Sequence, residues 1–406
     1  MAKVAIVTSG HFSTSPRVWK EADALAAHGH DVTVIGASYN ARDAALDAEM
    51  LVGRRWRHRI SANLVGTSLP VQAWRLVNRA TSRVGRALLR YGVRSPSALG
   101  YAATSLLTAA REEHADLTIL HLEPALWAGV QLLAEGYRVA VDVEDWHSEN
   151  DAGCDWGGDA QKQFLSSLER AVLPRAAFVT TTSNAMAAAL AAAYGCATPH
   201  TIYNAVAVRP STPPPATDAV RFVWFSQTLG AGRGLEDLCA AMPLLTGEWE
   251  VEIRARASEA AVSWMRGLVP ADLWPRVHIE CVVPPDQLSA AVARHDVGLA
   301  LESPRFQSKD LTASNKIFEY LQNGLFVVAS ATAGQREVLG LLTGGGATYR
   351  SGDAAGLASV LNDCIARRDA LRAGRERLHR EANAVLAYEH QAERLVTVVE
   401  RALQAR

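Results

Sequence analysis

The stretch SNKIFEYLQNGLFVVASA, residues 314–331, combines a short capped helix with an apolar strand. Ser314 is a typical N-cap residue and Gly324 stands where the helical pattern ends, so the sequence predicts a helix over 315–323 followed by a buried strand. A helix that leads directly into a buried strand is half of a βαβ unit, from which doubly wound parallel sheets are built. This stretch therefore predicts an α/β protein.

The same alternation of strands and helices recurs along the chain, in two blocks separated by the proline-rich segment 208–219. The first block opens with a strand at 3–10, a helix that begins at Ser15 and Pro16, and a second strand at 29–37. Further strands are predicted at 116–123, 137–144, 176–183, 220–227, 249–255, 276–283, 295–302, 324–331 and 346–350. Because 406 residues are too many for one ordinary domain, we predict an α/β fold of two Rossmann-like, doubly wound parallel-sheet domains facing a cleft.

Cysteine usage and hydropathy exclude several classes of protein. The five cysteines are odd in number, widely scattered and never spaced as C-x-x-C, which argues against a disulfide framework and a zinc site and fits a reducing cytosol. They are Cys154, Cys196, Cys239, Cys281 and Cys364. No apolar segment reaches the roughly 18 residues that a transmembrane helix needs. We therefore predict a cytoplasmic protein whose contact with a membrane is at most peripheral, at its inner face.

Positive charge is concentrated between Met50 and Arg111, where the chain has eleven arginines, no lysine and no acidic residue. Five of them recur at the helical spacings of three and four, as one stripe: Arg75, Arg79, Arg83, Arg86 and Arg90. One interpretation is the solvated basic face of an amphipathic helix. The other is a helix that lies against anionic lipid or a charged acceptor. Nucleic acid is not predicted as a partner, because no recognised module and few aromatic residues accompany the arginines.

The loops that follow strands are where open α/β sheets bind ligands. The first of them, SGHFSTSPR at 9–17, lacks the G-x-G-x-x-G motif, and the strand at 29–37 is not followed by an acidic residue that could hold a ribose. Both observations disfavour a nicotinamide dehydrogenase. The sequence also lacks a P-loop motif.

Lys316 lies in the first turn of the predicted helix, where a cation opposes the helix dipole at a cost of roughly a few tenths of a kcal/mol. A phosphate in front of the helix reverses this effect, because the free amides and the ammonium group then attract the same anion. Glu319, about one turn further on the same face, cannot hold phosphate but suits a ribose diol. The alternative interpretation is a surface Lys–Glu pair.

Four segments together resemble family 4 of the GT-B glycosyltransferases. SNKIFEYLQNGLFVVASATAGQREVL, 314–339, resembles the donor-binding segment of that family, K-x-x-E-Y-x-x-x-G-x-x-V-V-A. The other three are similar to the N-terminal segment, the start of the second domain and the last helix: SPRVWKEADALAAHGHDVTVIGA, VRFVWFSQTLGAGRGLEDLCAAM and YEHQAERLVTVVERAL. The resemblance implies an N-terminal acceptor-binding domain over 1–207, a C-terminal nucleotide-sugar-binding domain over 208–387, and a C-terminal helix, 388–406, that packs back on the first domain.

The resemblance also assigns donor-binding roles. It implies that Arg233 and Lys316 hold the donor diphosphate, that Glu319 binds the ribose, and that Gly10 lets the backbone approach the donor. The predicted donor-binding residues are Gly10, Ser226, Arg233, Ser314, Asn315, Lys316 and Glu319. Family 4 commonly has a further glutamate eight positions before the ribose glutamate. That position is Leu311 here, with Asp310 beside it, so the identity of the donor sugar stays open.

Candidate acceptor residues follow strands of the first domain: His11, His121, Glu123, Asp145 and His147. Asp145 and His147 belong to the charged loop DVEDWHSEN, 142–150, and are candidates for positioning or polarising an acceptor hydroxyl. The alternative is a solvated acidic loop that caps helices. Because no D-x-D motif follows a strand and retaining GT-B enzymes resemble metal-free systems, we predict no metal and no cofactor besides the donor substrate.

The predicted function is that of a retaining, metal-independent glycosyltransferase of the hexosyltransferase type. Its predicted catalytic residues are Arg233, Lys316, His147 and Asp145. The acceptor is either a lipid-linked or cell-surface glycan precursor or a small-molecule metabolite. Two alternatives stay open: a non-hydrolysing nucleotide-sugar epimerase of the same fold, and a non-catalytic nucleotide-sugar-binding protein.

Overall fold

The computed structural model describes residues 1–150, 158–213 and 217–405. Cys154 and the centre of the predicted proline-rich linker, 214–216, lie outside the described residues. The chain forms two compact units, the first made of Met1–Ile202 with Ala392–Arg406 and the second of Tyr203–Gln391. Within the described ranges, every helix is too short or too polar to cross a membrane.

The first unit is built on a parallel sheet. Its strands are β1 (Lys3–Val7), β2 (Asp31–Ser38), β3 (Arg57–Asn63), β4 (Leu117–His121), β5 (Val139–Val143), β6 (Val179–Thr181) and β7 (His200–Thr201). Its helices are α1 (Pro16–Ala27), α2 (Ala41–Leu51), α3 (Leu69–Leu89), α4 (Ala103–Glu113), α5 (Glu123–Ala134), α6 (Gly158–Val172) and α7 (Asn184–Tyr194). The strands are ordered β3-β2-β1-β4-β5-β6-β7, and every neighbouring pair is parallel.

The second unit repeats this plan. Its strands are β8 (Val220–Thr228), β9 (Trp249–Arg256), β10 (Val277–Glu280), β11 (Val297–Ala300), β12 (Phe326–Ser330) and β13 (Gly346–Tyr349). Its helices are α8 (Leu235–Ala241), α9 (Glu259–Leu268), α10 (Pro285–Val292), α11 (Gln307–Leu311), α12 (Asn315–Gln322), α13 (Ala333–Leu339), α14 (Ala354–Ala366) and α15 (Arg368–Leu386), and the last helix of the chain is α16 (Tyr388–Gln404). The strand order is β10-β9-β8-β11-β12-β13, again all parallel.

Both sheets are doubly wound, so the predicted fold class is confirmed. The strand order reverses between β1 and β4 in the first sheet and between β8 and β11 in the second. In open α/β sheets these reversal points form crevices at the carboxyl ends of the strands, and ligands bind there. The loops after β1, β4, β8 and β11 are therefore where functional side chains are expected.

The core of the first unit includes part of the last helix. Val18 and Leu25 of α1 pack in one buried cluster with Ile6 of β1 and with Val396 and Val399 of α16. Burying one such aliphatic side chain contributes about 1.5–3 kcal/mol. The C-terminal residues are therefore an integral part of this unit, although α16 begins among residues that group with the second unit.

Two strands, β3 and β7, were not predicted. β3 lies at the edge of its sheet and is only partly buried, so it lacks the apolar run that marks the central strands. Arg57 and Arg59 on this strand instead form ion pairs with carboxylates of neighbouring elements, including Glu113. β7 has only two residues, too few to give a pattern.

Candidate functional site

Lys316 lies at the carboxyl edge of the second sheet and is oriented by a carboxylate that the sequence analysis did not single out. Its Nζ atom is 2.6 Å from Oε1 of Glu302, which follows β11, and 5.9 Å from the centre of the Trp224 ring. The Ser314 hydroxyl stands at the N-cap position of α12 but donates to the same Glu302 oxygen, at 3.0 Å, instead of capping the helix. An acidic residue directly after the apolar run HDVGLAL is the signal in the sequence that could have identified Glu302.

Glu302 and Lys316 form an ion pair. Burial alone would raise the pKa of Glu302, but the Lys316 ammonium, with a weaker contribution from Lys309 and a hydrogen bond from Ser314, outweighs burial and lowers it. Glu302 is therefore ionised at neutral pH. An anion that binds at the start of α12 competes with Glu302 for the lysine.

Arg233 lies in the loop between β8 and α8, on the other side of the reversal point in this sheet. Its Nη1 donates to the Ser226 hydroxyl at 2.8 Å and its Nη2 to the Thr228 hydroxyl at 3.2 Å. No carboxylate of the described residues pairs with its guanidinium. Its positive charge is therefore oriented by neutral hydroxyls and remains available to an anion.

The loop that carries Arg233 requires glycine. Gly232 and Gly234 have φ angles of 77° and 76°, in the left-handed region that other residues avoid. A Cβ atom on Gly234 would also lie 2.8 Å from Cβ of Leu301, the residue before Glu302. The loop thus packs directly against the end of β11, which holds Arg233 at the same edge of the sheet as Lys316.

Glu319, the predicted ribose ligand, does not accompany Lys316. It is 6% exposed, and its carboxylate accepts hydrogen bonds from the Ser289 hydroxyl and, at 3.1 Å, from the Asn323 amide. These partners turn the carboxylate towards α10 rather than towards Glu302. Ribose binding by Glu319 stays a prediction.

The remaining donor-site predictions in this unit also have internal partners. The Asn315 side-chain oxygen accepts a 2.6 Å hydrogen bond from Asn204, and Ser226 holds Arg233 as described above. Asp310 accepts a 3.2 Å bond from the backbone N–H of Ala333, at the start of α13. Its carboxylate therefore helps to cap α13, and nothing in this arrangement gives it the role of the glutamate that is replaced by Leu311.

In the first unit, His11 holds together the loop that follows β1. Its Nδ1 lies 2.6 Å from Oδ2 of Asp47 on α2, and its Nε2 accepts the backbone N–H groups of Tyr39 and Asn40, both at 3.2 Å. The ring is buried. Gly10 beside it has little space, because a Cβ atom there would lie 3.0 Å from the Tyr39 hydroxyl. Both ring nitrogens of His11 are thus occupied, and its contact with an acceptor stays a prediction that this geometry does not favour.

His121 belongs to a buried network of charged residues at the carboxyl ends of β4 and β5. Its Nε2 lies 2.7 Å from Glu21 of α1, and its Nδ1 lies 3.7 Å from Asp142. Arg17 forms a two-pronged ion pair with Asp142 and donates to the carbonyl of Ile202 at 2.7 Å. The Arg17 guanidinium lowers the pKa of Asp142 despite the opposing effect of burial. Arg17 and Asp142 were not predicted. The signal in the sequence for Asp142 was a charged residue inside an otherwise apolar strand.

Glu123 and His147 form an ion pair with a distance of 3.4 Å between Oε1 and Nδ1. Burial alone would lower the pKa of His147, but the carboxylate of Glu123 raises it to about 9. Burial alone would raise the pKa of Glu123, but the positive charge of His147 lowers it to about 2. Leu122, which links β4 to Glu123, has a φ of 69°, and such strain in a non-glycine residue is frequent at functional sites. Asp145, half-buried in the loop after β5, further favours the charged form of His147.

The carboxyl edges of the two sheets therefore carry different kinds of side chain. In the second unit, Arg233, Lys316 and the first amides of α12 give a cationic site at a sheet reversal point. The first unit offers paired acidic and basic side chains that can hold hydroxyl groups. Across the described residues, no group of three or more histidine, cysteine, aspartate or glutamate side chains is arranged to hold a metal ion.

Comparisons with known proteins point to one family. Residues 14–205 match the model of a glycosyl transferase 4-like domain, and residues 245–397 match a glycosyl transferase-like model. The fold is similar to that of sucrose-phosphate synthase from Thermosynechococcus elongatus, with 15% identity, a TM-score of 0.72 and complete coverage of both chains. HepE of Anabaena, in complex with UDP and glucose, has 15% identity and a TM-score of 0.69 over 99% of this chain and 100% of its own.

A lipopolysaccharide outer core galactosyltransferase, WaaB, has 13% identity and a TM-score of 0.58 over 97% of this chain and 99% of its own. At these identities the structural comparisons show the shared fold alone. No curated protein matches the sequence at a significant level.

Proposed function

The chain belongs to the GT-B glycosyltransferases, enzymes that transfer a sugar from a nucleotide sugar, and we propose that it transfers a hexosyl group with retention of the anomeric configuration and without a metal ion. The second unit binds the nucleotide-diphosphate sugar and the first unit binds the acceptor. The observation that carries this proposal is the Arg233 guanidinium, held by two hydroxyls at a sheet reversal point and paired with no carboxylate of the described residues. That HepE is described in complex with UDP and with UDP-glucose supports a uridine nucleotide as the first donor to test.

Cationic side chains supply the electrostatic stabilisation in this mechanism. When the bond between the anomeric carbon and the diphosphate breaks, negative charge develops on the leaving oxygen. Groups that interact more strongly with this developing charge than with the bound donor lower the barrier. Arg233, Lys316 and the amides at the start of α12 are these groups. For Lys316, the diphosphate replaces Glu302 as its partner.

The acceptor side relies on His147 and Glu123. With a pKa of about 9, His147 is protonated at neutral pH, so it donates a hydrogen bond and does not serve as a general base. Glu123 stays ionised and fixes the imidazolium. His147 and Asp145 therefore position an acceptor hydroxyl. The acceptor is either a lipid-linked or cell-surface glycan precursor or a small-molecule metabolite.

A thermal-shift panel of UDP, GDP and ADP tests the donor proposal. We expect one diphosphate to raise Tm, because a ligand that binds only the folded state stabilises it. With the matching nucleotide sugar and an acceptor, the anomeric proton coupling in the NMR spectrum of the product should show the configuration of the donor, at a rate unchanged by EDTA. A product of inverted configuration, or a rate abolished by EDTA, contradicts the proposal. Isomerised sugar from donor alone indicates an epimerase, and nucleotide binding without any diphosphate release indicates a binding protein.

Replacing Glu319 by alanine is expected to weaken binding of the nucleotide diphosphate about tenfold or more, because a hydrogen bond from a ribose hydroxyl to a carboxylate contributes about 1.5–3 kcal/mol. Isothermal titration calorimetry measures this affinity. Ser289→Ala is the matched control, since it removes an internal partner of Glu319 but leaves the carboxylate in place. An equal loss of affinity in both variants would show that Glu319 acts only through the contact between α10 and α12.

A further inference from the structure

Helix α3 turns an apolar surface towards solvent. Six large apolar side chains along it and just beyond its end, here called the apolar stripe, are 40–84% exposed: Leu69, Leu76, Val77, Val84, Leu88 and Tyr91. At about 100° per residue these positions fall on one side of the helix. An ordinary surface helix buries such a side against its own domain, so this stripe is suited to a partner outside the described residues.

The opposite side of α3 packs on the first unit. Its buried positions are Ser82, Gly85 and Leu89. A Cβ atom on Gly85 would lie 2.4 Å from the Ser97 hydroxyl and 2.8 Å from the backbone nitrogen of Ala98, so glycine permits a close approach to the turn at Pro96–Leu99. The helix is therefore held in place without using its apolar stripe.

Arginines flank the apolar stripe and differ from four other arginines in this part of the chain, which form ion pairs. Arg54, Arg57, Arg59 and Arg111 pair with carboxylates of other elements. In contrast, Arg75, Arg79, Arg83 and Arg90 have no carboxylate of the described residues within ion-pair distance. With no acidic residue between positions 50 and 111, α3 presents an apolar stripe beside uncompensated positive charge.

We propose that α3 lies along the surface of an anionic lipid bilayer, with the apolar stripe among the acyl chains and the arginines on the headgroup phosphates. This combination of an apolar side, a basic flank and insufficient hydropathy to span is characteristic of interfacial helices. Trp74, 40% exposed, and Tyr91 supply the amphipathic rings that favour the headgroup level. At about 1.5 Å per residue, the helix offers a contact about 30 Å long.

The charge of α3 argues against a second copy of the chain as its partner. A two-fold symmetric dimer through this surface would place arginines of one copy near arginines of the other, and like charges across an interface are unfavourable. An anionic surface neutralises them instead. The inference concerns a surface remote in sequence from Arg233 and Lys316, so vesicle binding and sugar transfer can succeed or fail separately.

Flotation with vesicles of phosphatidylcholine, with or without phosphatidylglycerol, tests the proposal. Three double variants are compared with the unaltered chain: Leu76→Gln/Val84→Gln, Arg79→Glu/Arg83→Glu, and the control Arg380→Glu/Arg394→Glu. The control makes the same change in net charge at exposed positions of α15 and α16. All the altered residues are exposed, so unfolding midpoints should stay close to that of the unaltered chain.

The unaltered chain and the control should float with phosphatidylglycerol vesicles, less so as salt is raised, and not with phosphatidylcholine alone. Both α3 variants should bind at least about tenfold more weakly. The proposal is overturned if the unaltered chain does not float, or if the α3 variants float as well as the control. If the unaltered chain does not bind vesicles but forms a dimer, and Leu76→Gln/Val84→Gln dissociates that dimer, the apolar stripe is a protein interface instead.

Discussion

Replacing Lys316 by alanine is expected to lower kcat/KM about 100-fold or more, equivalent to about 2.7 kcal/mol of transition-state stabilisation. The ammonium lies at the start of α12, 2.6 Å from Glu302, and in the proposed mechanism it transfers its contact to the diphosphate. Removing it takes away a cation where negative charge develops and also leaves Glu302 without its ion-pair partner. Steady-state kinetics with the nucleotide sugar measure the loss.

A control variant and a double variant are compared with Lys316→Ala. Lys162→Ala removes another lysine that forms an ion pair, with Glu149 at 2.8 Å, and should leave kcat/KM unchanged because this pair is exposed and belongs to the first unit. If the lysine serves only to neutralise Glu302, the double variant Lys316→Ala/Glu302→Gln should recover most of the activity. We expect it to recover little. Recovery to near the original rate would contradict a role for Lys316 in stabilising the leaving group.

The fold could be predicted because its determinants are local. The central strands of both sheets are short apolar runs, and the ends of α12 are marked by Ser314 and Gly324, so neighbouring residues suffice to identify each element. β3 could not be identified in this way, because it lacks an apolar run and its arginines pair with residues such as Glu112 and Glu113, more than fifty positions away. Edge strands of this kind are specified by tertiary contacts rather than by pattern.

The sequence predicts where the residues of the candidate site lie in the fold, but not the directions in which their side chains point. Loops after strands had to meet at the carboxyl edge of a parallel sheet, which placed Arg233 and Lys316 near the same reversal point. The direction of Glu319, however, depends on Ser289, thirty residues earlier, and that of His11 on Asp47. Helical spacing fixes which side of a helix a residue occupies, while partners from distant segments decide where its polar atoms point.

Arg233→Ala is also expected to lower kcat/KM about 100-fold or more. The physical cause of the loss differs from that in Lys316→Ala. Arg233 has no carboxylate partner among the described residues, so no charge is left uncompensated when it is removed. Arg233→Lys should recover only part of the loss, because an ammonium keeps the charge but lacks the planar fork that bonds Ser226, Thr228 and a phosphate together. Kinetics and the Tm shift with nucleotide diphosphate measure both variants.

The matched control for Arg233 is Arg276→Ala. Arg276 is half-buried in the same unit and precedes β10, at the opposite edge of the sheet, where it donates to the carbonyl of Gly247 at 3.0 Å. Its removal should change stability slightly and leave kcat/KM within about twofold of the original value. If Arg233→Ala and Arg276→Ala reduce activity equally, the charge of Arg233 is not used in the reaction. The diphosphate would then have to be stabilised by Lys316 and the amides of α12 alone.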